Sequence, residues 1–434
     1  MKSVTFDAPE YQQDGRFVVT RYQYSGSEQS GWQILREHQP WLMLGPGYRL
    51  LPVHYCGICA TDLARHRLPF ALPQITGHEI VVEADGQMAV VEINASHLAL
   101  GQDGSGCPCC AQGWSSHCPQ RLTLGIDRLP GGFAPYILAP QRAIHLLPAA
   151  IDPVVATAIE PLAAALRALH FTPPHEGDQI AVLGPRRLGM LLLAALSDYR
   201  QRHDLDFSIT ALLRRPQLAS MCVAFGADQV RFVAQRDGDD AAGQYDIVFD
   251  TTGSPQGLIT ALQYARRIVH VKSTHGLPVS GMSKLDQLVV NELALLPPLD
   301  AADDPRWPLT LRGTRAVRSR SIEVATLDQA DHWLAGPLRC DGMALHPGGA
   351  LIYSGQERQE LAAAIKQRGI ALHSSRCGEF APAIHLLARH CHLHQLLAEE
   401  WISQIPIGQI HDAFVRARGD NAAIKLVMRH GDGA

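Results

Sequence analysis

Charge is scarce in this chain of 434 residues: Asp, Glu, Lys and Arg make up 18% of it, and the formal net charge is −4. A balance so close to neutral gives no reason to expect nucleic acid or an acidic membrane surface as a partner. No apolar run approaches the roughly 18 residues that a spanning helix needs. The opening residues, Met1-Lys-Ser-Val-Thr-Phe-Asp-Ala-Pro, lack the apolar core of a secretory signal. Internal repeats and low-complexity tracts are also missing. These absences point to a cytoplasmic globular protein, and hydrophobic residues at 46% supply its cores. In that compartment the ten cysteines read as metal ligands or free thiols, not as a disulfide framework.

What is present is concentrated between residues 54 and 79. Cys56, Cys59, Asp62, His78 and Glu79 crowd there, around a loop carrying Pro69 and Pro73. Thiolate and imidazole are ligand types that Zn²⁺ prefers, and nearby acids complete or orient such a set. The plainer reading is a buried cysteine pair beside a core histidine. Glu160 shifts the balance. It stands in the apolar stretch Ala-Ile-Glu160-Pro-Leu-Ala, where an unpaired carboxylate costs several kcal/mol unless a cation meets it. Cys59, His78 and Glu160 then make a three-ligand set with a fourth position open to water or substrate.

The length calls for two domains. Residues 1–150 read as mostly β. From about 154 a helical stretch gives way to strands alternating with helices every 20–25 residues, the pattern of a doubly wound parallel sheet. Residues 297–370 interrupt that rhythm, and so long a connection needs structure of its own. Trp307, Trp333, Leu338 and Ile352 suggest a small lobe there.

Cys56-Gly-Ile-Cys-Ala-Thr-Asp-Leu, Gly77-His-Glu79 and Glu160-Pro-Leu-Ala, in this order, resemble the zinc-dependent medium-chain dehydrogenase/reductases, in the alcohol, sorbitol and threonine dehydrogenase-like branch. The resemblance runs from residue 50 to 296 and again from about 371 to 430. It implies an α/β protein: a β-rich GroES-like catalytic domain (1–160 and 400–434), a doubly wound Rossmann domain (161–296 and 371–399) and a small inserted α/β lobe (297–370). It also implies that Cys59, His78 and Glu160 bind the catalytic zinc. Glu79 becomes an outer or alternate ligand, Thr61 the hydroxyl that takes the substrate's proton, Asp62 an outer partner and Cys56 a packed thiol. The relay histidine that the family places three residues beyond the hydroxyl is Ala64 here, so Arg65, His66 or water would replace it.

The family's structural zinc lobe uses Cys-x₂-Cys-x₂-Cys-x₇-Cys. Cys107, Cys110 and Cys118 fit its last three positions, but Gly104 occupies the first. Cys109, Asp103 or His117 would supply the fourth ligand, or this zinc is lost. The nucleotide loop also departs from the family. In Gly184-Pro-Arg-Arg-Leu-Gly189, Arg186 replaces the glycine that lets the backbone approach a pyrophosphate. Arg186, Arg187 and Leu188 either meet phosphate there or the loop no longer holds a dinucleotide in the usual way. Leu213 stands where an acid would hold an NAD ribose, followed by Arg214 and Arg215, and loss of the acid beside two arginines favours NADP over NAD. Thr252, Gly253 and Ser273 resemble the strand ends that line the nicotinamide side.

The expectation is therefore a zinc oxidoreductase moving a hydride between NADP or NAD and a small alcohol or carbonyl, as a homodimer or homotetramer. The alternative is a dehydrogenase-like scaffold with lost or altered cofactor binding, serving assembly or zinc-assisted non-redox chemistry.

Overall fold

The computed structural model describes residues 2–233, 242–272, 276–299, 304–309, 311, 321–335, 348–419 and 424–431. The chain divides into two compact units, residues 1–160 with 379–434 and residues 161–378.

The first unit opens with an antiparallel meander of Lys2–Tyr11, Phe17–Ser27, Gly31–Arg36 and Gln39–Leu44. A seven-stranded sheet follows in the order Ile144–Leu146, Gln87–Val91, Glu79–Ala84, Tyr48–Gly57, Lys425–Arg429, Ile402–Pro406, with Tyr136–Pro140 also pairing Tyr48–Gly57. Tyr48–Gly57 is central: Gly57 lies opposite Glu79 on one side and Val427 on the other. The sheet is thus built from both ends of the sequence. Residues 379–399, expected in the Rossmann domain, belong to this unit. The helix Phe380–Arg389 buries Phe380, Ala383, Ile384, Leu386 and Leu387. Its first N–H donates to Glu92 (2.9 Å), and His394 Nε2 accepts from the Asp152 N–H (2.9 Å).

The second unit carries a nine-stranded sheet. Its first six strands, Gln229–Phe232, Ser208–Leu213, Gln179–Leu183, Tyr245–Asp250, Ala265–Val271 and Ala371–Ser374, are mutually parallel in the doubly wound order. These strands read as near-continuous apolar runs because helices cover the sheet. The insertion does not stand apart as a lobe. Ser321–Val324 and Ala350–Tyr353, joined through the helix Leu327–Ala335, extend the same sheet beyond Ala294–Leu296. Val324, Leu327, Ala330, Leu334, Leu351 and Tyr353 sit in one core with Val269, Val271 and Leu372. Shared apolar burial fuses them to the sheet. Among the described residues, no helix is long and apolar enough to cross a membrane.

Candidate functional site

Strand Tyr48–Gly57 delivers Cys59 to the N-cap of the short helix Ala60–Ala64. Asp62 closes the cap: its Oδ2 accepts from the Cys59 N–H (2.8 Å) and its Oδ1 from the Gly77 N–H (3.1 Å). One carboxylate therefore ties the Cys59 turn to the Gly77-His78 turn. It also faces the buried His78 ring, with Oδ1 3.5 Å from Nδ1, too long for a good hydrogen bond, and that nitrogen has no hydrogen-bond partner. Burial opposes charge on His78, yet Asp62 and the Cys59 sulfur outweigh it and raise its pKa well above the usual value. Such a concentration of negative charge around an imidazole is what a dication would neutralise, so the donor chemistry fits zinc. Thr61 Oγ1 lies 3.8 Å from Cys59 Sγ.

Glu79 begins the next strand and is buried against Lys425, whose ammonium pairs with its Oε2 and donates to the Ile58 carbonyl at 3.2 Å. The pair explains Gly57, where a Cβ would fall 2.2 Å from Glu79 Oε2 and 2.7 Å from Lys425 Cε. Sequence reasoning missed Lys425. The signal was there, a buried cation at the head of the strand Lys425–Arg429, next to buried Leu426, Val427 and Met428. Glu160 is buried in the first turn of Ile159–Phe171. Its carboxylate, Cys59 and His78 are not gathered as tightly as the second cluster described below. Cys56 is fully buried, and burial pushes its thiol up, as a packed thiol requires. Arg65 is fully buried too. It donates to the carbonyls of Phe70, Ala71 and Ile126 and to Gln74 Oε1, so it straps the loop and does not serve as a relay. His66 is exposed.

The tightest donor cluster among the described residues is His97, Cys107, Cys110 and Cys118, with all four ligand atoms within 4.8 Å of one another. Cys107 and Cys118 sulfurs are 3.9 Å apart, and His97 Nδ1 lies 3.5 Å from Cys110 Sγ and 3.3 Å from Cys118 Sγ. A tetrahedral zinc with its usual bond lengths sets ligand atoms about 3.5–3.8 Å apart. His97 Nε2 lies 3.0 Å from Gln120 Oε1. Donation to that oxygen leaves Nδ1 bare and aimed at the thiols, as second-sphere partners do for metal-bound histidines. Cys109 is buried but outside the group, Asp103 binds Ser105 (2.7 Å) and His117 lies beside Ser116 (3.1 Å). The structure thus groups Cys107, Cys110 and Cys118 with a histidine that no spacing rule singled out. Gly104 offered the hint: a Cβ there would lie 2.6 Å from Cys110 Cβ, leaving no room for a cysteine.

In the second unit Gly184 has φ +69 and Gly189 opens the helix Arg187–His203. A Cβ on Gly184 would sit 2.7 Å from Thr252 Cγ2, and one on Gly189 2.6 Å from Thr251 Oγ1. Both glycines are needed for strand ends to close on the helix. Arg186 is the N-cap residue, and Arg187, Leu188 and Gly189 form the first turn, whose N–H groups suit an anion. Arg214 is exposed and Arg215 half-buried after Ser208–Leu213. Thr252 donates its hydroxyl (2.7 Å) and N–H (2.9 Å) to Asp250 Oδ1, and Gly253 has φ +63. Burial raises Asp250 to about 6, with the Thr252 contacts acting against it. Ser273 lies outside the described residues.

Residues 45–149 match the alcohol dehydrogenase GroES-like domain. The sorbitol dehydrogenase of Halalkalibacterium halodurans is 32% identical over 149 residues, 32% of this chain and 43% of that protein. The L-idonate 5-dehydrogenase structure from Escherichia coli superposes with a TM-score of 0.62 at 17% identity, covering 99% of both chains. Residues 45–149 thus carry an alcohol dehydrogenase GroES-like domain, and the whole chain shares its fold with medium-chain dehydrogenases. A protein from Sinorhizobium meliloti described as a zinc-binding dehydrogenase, solved with NADP, shares this medium-chain fold at a TM-score of 0.59 and 17% identity, over 98% of this chain and 99% of that one. Sequence likeness is shorter than structural likeness: the chain spans 43–64% of the length of the first curated relatives it matches. The medium-chain dehydrogenase fold is thus matched over 99% of the chain, and the family model over residues 45–149.

Proposed function

We propose that the protein is a zinc-dependent oxidoreductase that moves a hydride between NADP or NAD and a small alcohol or carbonyl compound. The observation that carries this reading is the constellation of Cys59, His78 and Asp62, in which one carboxylate braces both turns that present the thiol and the imidazole. Cys59, His78 and Glu160 would hold the zinc, which when bound polarises the substrate oxygen and lowers the pKa of an alcohol. Thr61, beside the Cys59 sulfur, receives the alcohol proton. Lys425 keeps the Glu79 carboxylate compensated and out of the ligand set. The first turn of Arg187–His203, with Arg186, would bind the dinucleotide phosphates, and Arg214 and Arg215 favour a 2′-phosphate. His97, Cys107, Cys110 and Cys118 would hold a second, structural zinc. Cytoplasmic residence and assembly as a homodimer or homotetramer complete the reading.

A second reading is favoured by Arg186 alone: a medium-chain scaffold without redox turnover, used for assembly or zinc-assisted chemistry. Titration with NADPH and NADH, followed by nicotinamide fluorescence, separates the two. Micromolar binding of either supports the oxidoreductase, and no binding of either supports the scaffold. Cys59→Ser and Glu160→Ala should abolish turnover while the fold persists. Full activity in protein shown to be free of zinc would sink the zinc mechanism.

A further inference from the structure

Five buried side chains of the second unit form one continuous hydrogen-bonded line. Lys272, directly after the strand Ala265–Val271, donates to Ser375 Oγ (3.0 Å), to the Ser375 carbonyl (2.9 Å) and to the Arg376 carbonyl. Ser375 Oγ lies 2.9 Å from His270 Nε2, and His270 Nδ1 lies 2.7 Å from Thr172 Oγ1. Thr172 Oγ1 is in turn 2.7 Å from His373 Nδ1, whose Nε2 reaches the Arg306 carbonyl at 2.7 Å. Lys272 is 6% exposed, and Ser375, His270, Thr172 and His373 are all at 0%.

The two ends fix every proton between them. A carbonyl only accepts, so His373 carries its proton on Nε2 and its Nδ1 accepts. Thr172 must then donate its single hydroxyl proton to His373 and accept from His270 Nδ1–H. That leaves His270 Nε2 bare, to accept the Ser375 hydroxyl, whose oxygen accepts in turn from the donor-only ammonium of Lys272. The two histidines, paired across adjacent strands, are locked in opposite tautomers. Burial, followed by the charge of Lys272, holds His270 neutral, as this pattern needs.

We propose that this line is a proton relay between Lys272 and His373, with Thr172 as the positioning residue that joins its halves. In one passage Lys272 gives a proton to Ser375 Oγ while the Ser375 hydroxyl proton passes to His270 Nε2. The His270 Nδ1 proton moves to Thr172 Oγ1 while the Thr172 hydroxyl proton passes to His373 Nδ1. Lys272 ends neutral and His373 ends as an imidazolium with its Nε2 proton kept. Ser375 and Thr172 end as hydroxyls, His270 ends as the other tautomer, and no electrons change hands. Lys272 and Ser375 stand at the carboxyl ends of parallel strands, the edge at which doubly wound sheets bind ligands. Oxidation of an alcohol releases a proton, so the relay's use rests on the oxidoreductase reading. Its geometry does not.

Selective ¹⁵N labelling of histidine reads each tautomer, with His270→Gln and His373→Gln used to assign the two rings. The expected result is His270 protonated on Nδ1 and His373 on Nε2. Thr172→Val should free the His270 tautomer, with His373 still protonated on Nε2 against the Arg306 carbonyl, and lower kcat roughly tenfold or more with KM little changed, and Thr172→Ser should restore the His270 tautomer and kcat. The opposite tautomer on either ring of the parent protein would overturn the relay. So would a folded Thr172→Val protein, checked by circular dichroism, that keeps the His270 tautomer fixed or keeps its kcat. Absence of any nicotinamide-linked turnover would remove the oxidoreductase reading alone, and the tautomers would still decide the relay.

Discussion

At His97 the difference between a surface imidazole and a metal ligand is set by its far nitrogen. Gln120 takes Nε2, so Nδ1 must face the thiols of Cys110 and Cys118. His97→Ala should therefore remove about one zinc per chain by atomic absorption, whereas Cys109→Ser should leave the metal content unchanged. Equal metal loss in both variants would return Cys109 to the site. Asp250 offers a test in pH. Its pKa is raised to about 6 from an ordinary value near 4, so the folded state binds the proton more tightly than the unfolded chain does. That contribution is fully present below about pH 4 and is lost as pH rises through about 6, roughly 3 kcal/mol in all. Asp250→Asn should flatten this decline and raise stability at neutral pH, read from denaturant midpoints across the window. The asparagine oxygen still accepts from Thr252.

Among elements, the strand Lys425–Arg429 carries more of the site than its five residues suggest. Lys425→Met leaves the Glu79 carboxylate buried without its partner, and such a break costs about 3–5 kcal/mol. Adding Glu79→Gln should recover most of the loss in equilibrium unfolding. If the double variant is no more stable than Lys425→Met, the ion pair is not the source. The elements also show what the sequence discloses and what it hides. Cys59, His78 and their turns were legible because ligand chemistry needs fixed residue types at short spacing, and alternating strands and helices announced the parallel sheet. His97, Lys425 and the placement of Phe380–Arg389 were hidden because each acts through partners distant in sequence: Cys118, Glu79 and Glu92. The insertion was legible as an interruption, but Ser321–Val324 and Ala350–Tyr353 look the same whether they make a lobe or lengthen a sheet. Only the pairing of Ala350–Tyr353 with Ala294–Leu296, and of Ser321–Val324 with Ala350–Tyr353, decides it.

On the scale of the whole molecule the two units differ in how their sequence is spent. The second is one continuous stretch, residues 161–378, and its sheet and core are complete within it. A fragment of those residues should fold alone, with a single cooperative melt. Residues 1–160 alone should not, because the central strand Tyr48–Gly57 would lose Lys425–Arg429 and, beyond it, Ile402–Pro406. Comparing the two fragments by circular dichroism and thermal unfolding checks both statements.

The meeting of Gly57, Glu79 and Lys425 in one sheet also sets a timetable. On a ribosome adding about 5–20 residues per second, Lys425 emerges roughly twenty seconds to more than a minute after Glu79. Throughout that interval the Glu79 carboxylate lacks this partner, and residues 1–160 have no finished sheet in which to bury it. The strand Lys425–Arg429 then brings Tyr48–Gly57 its neighbour and Glu79 its ammonium in a single step.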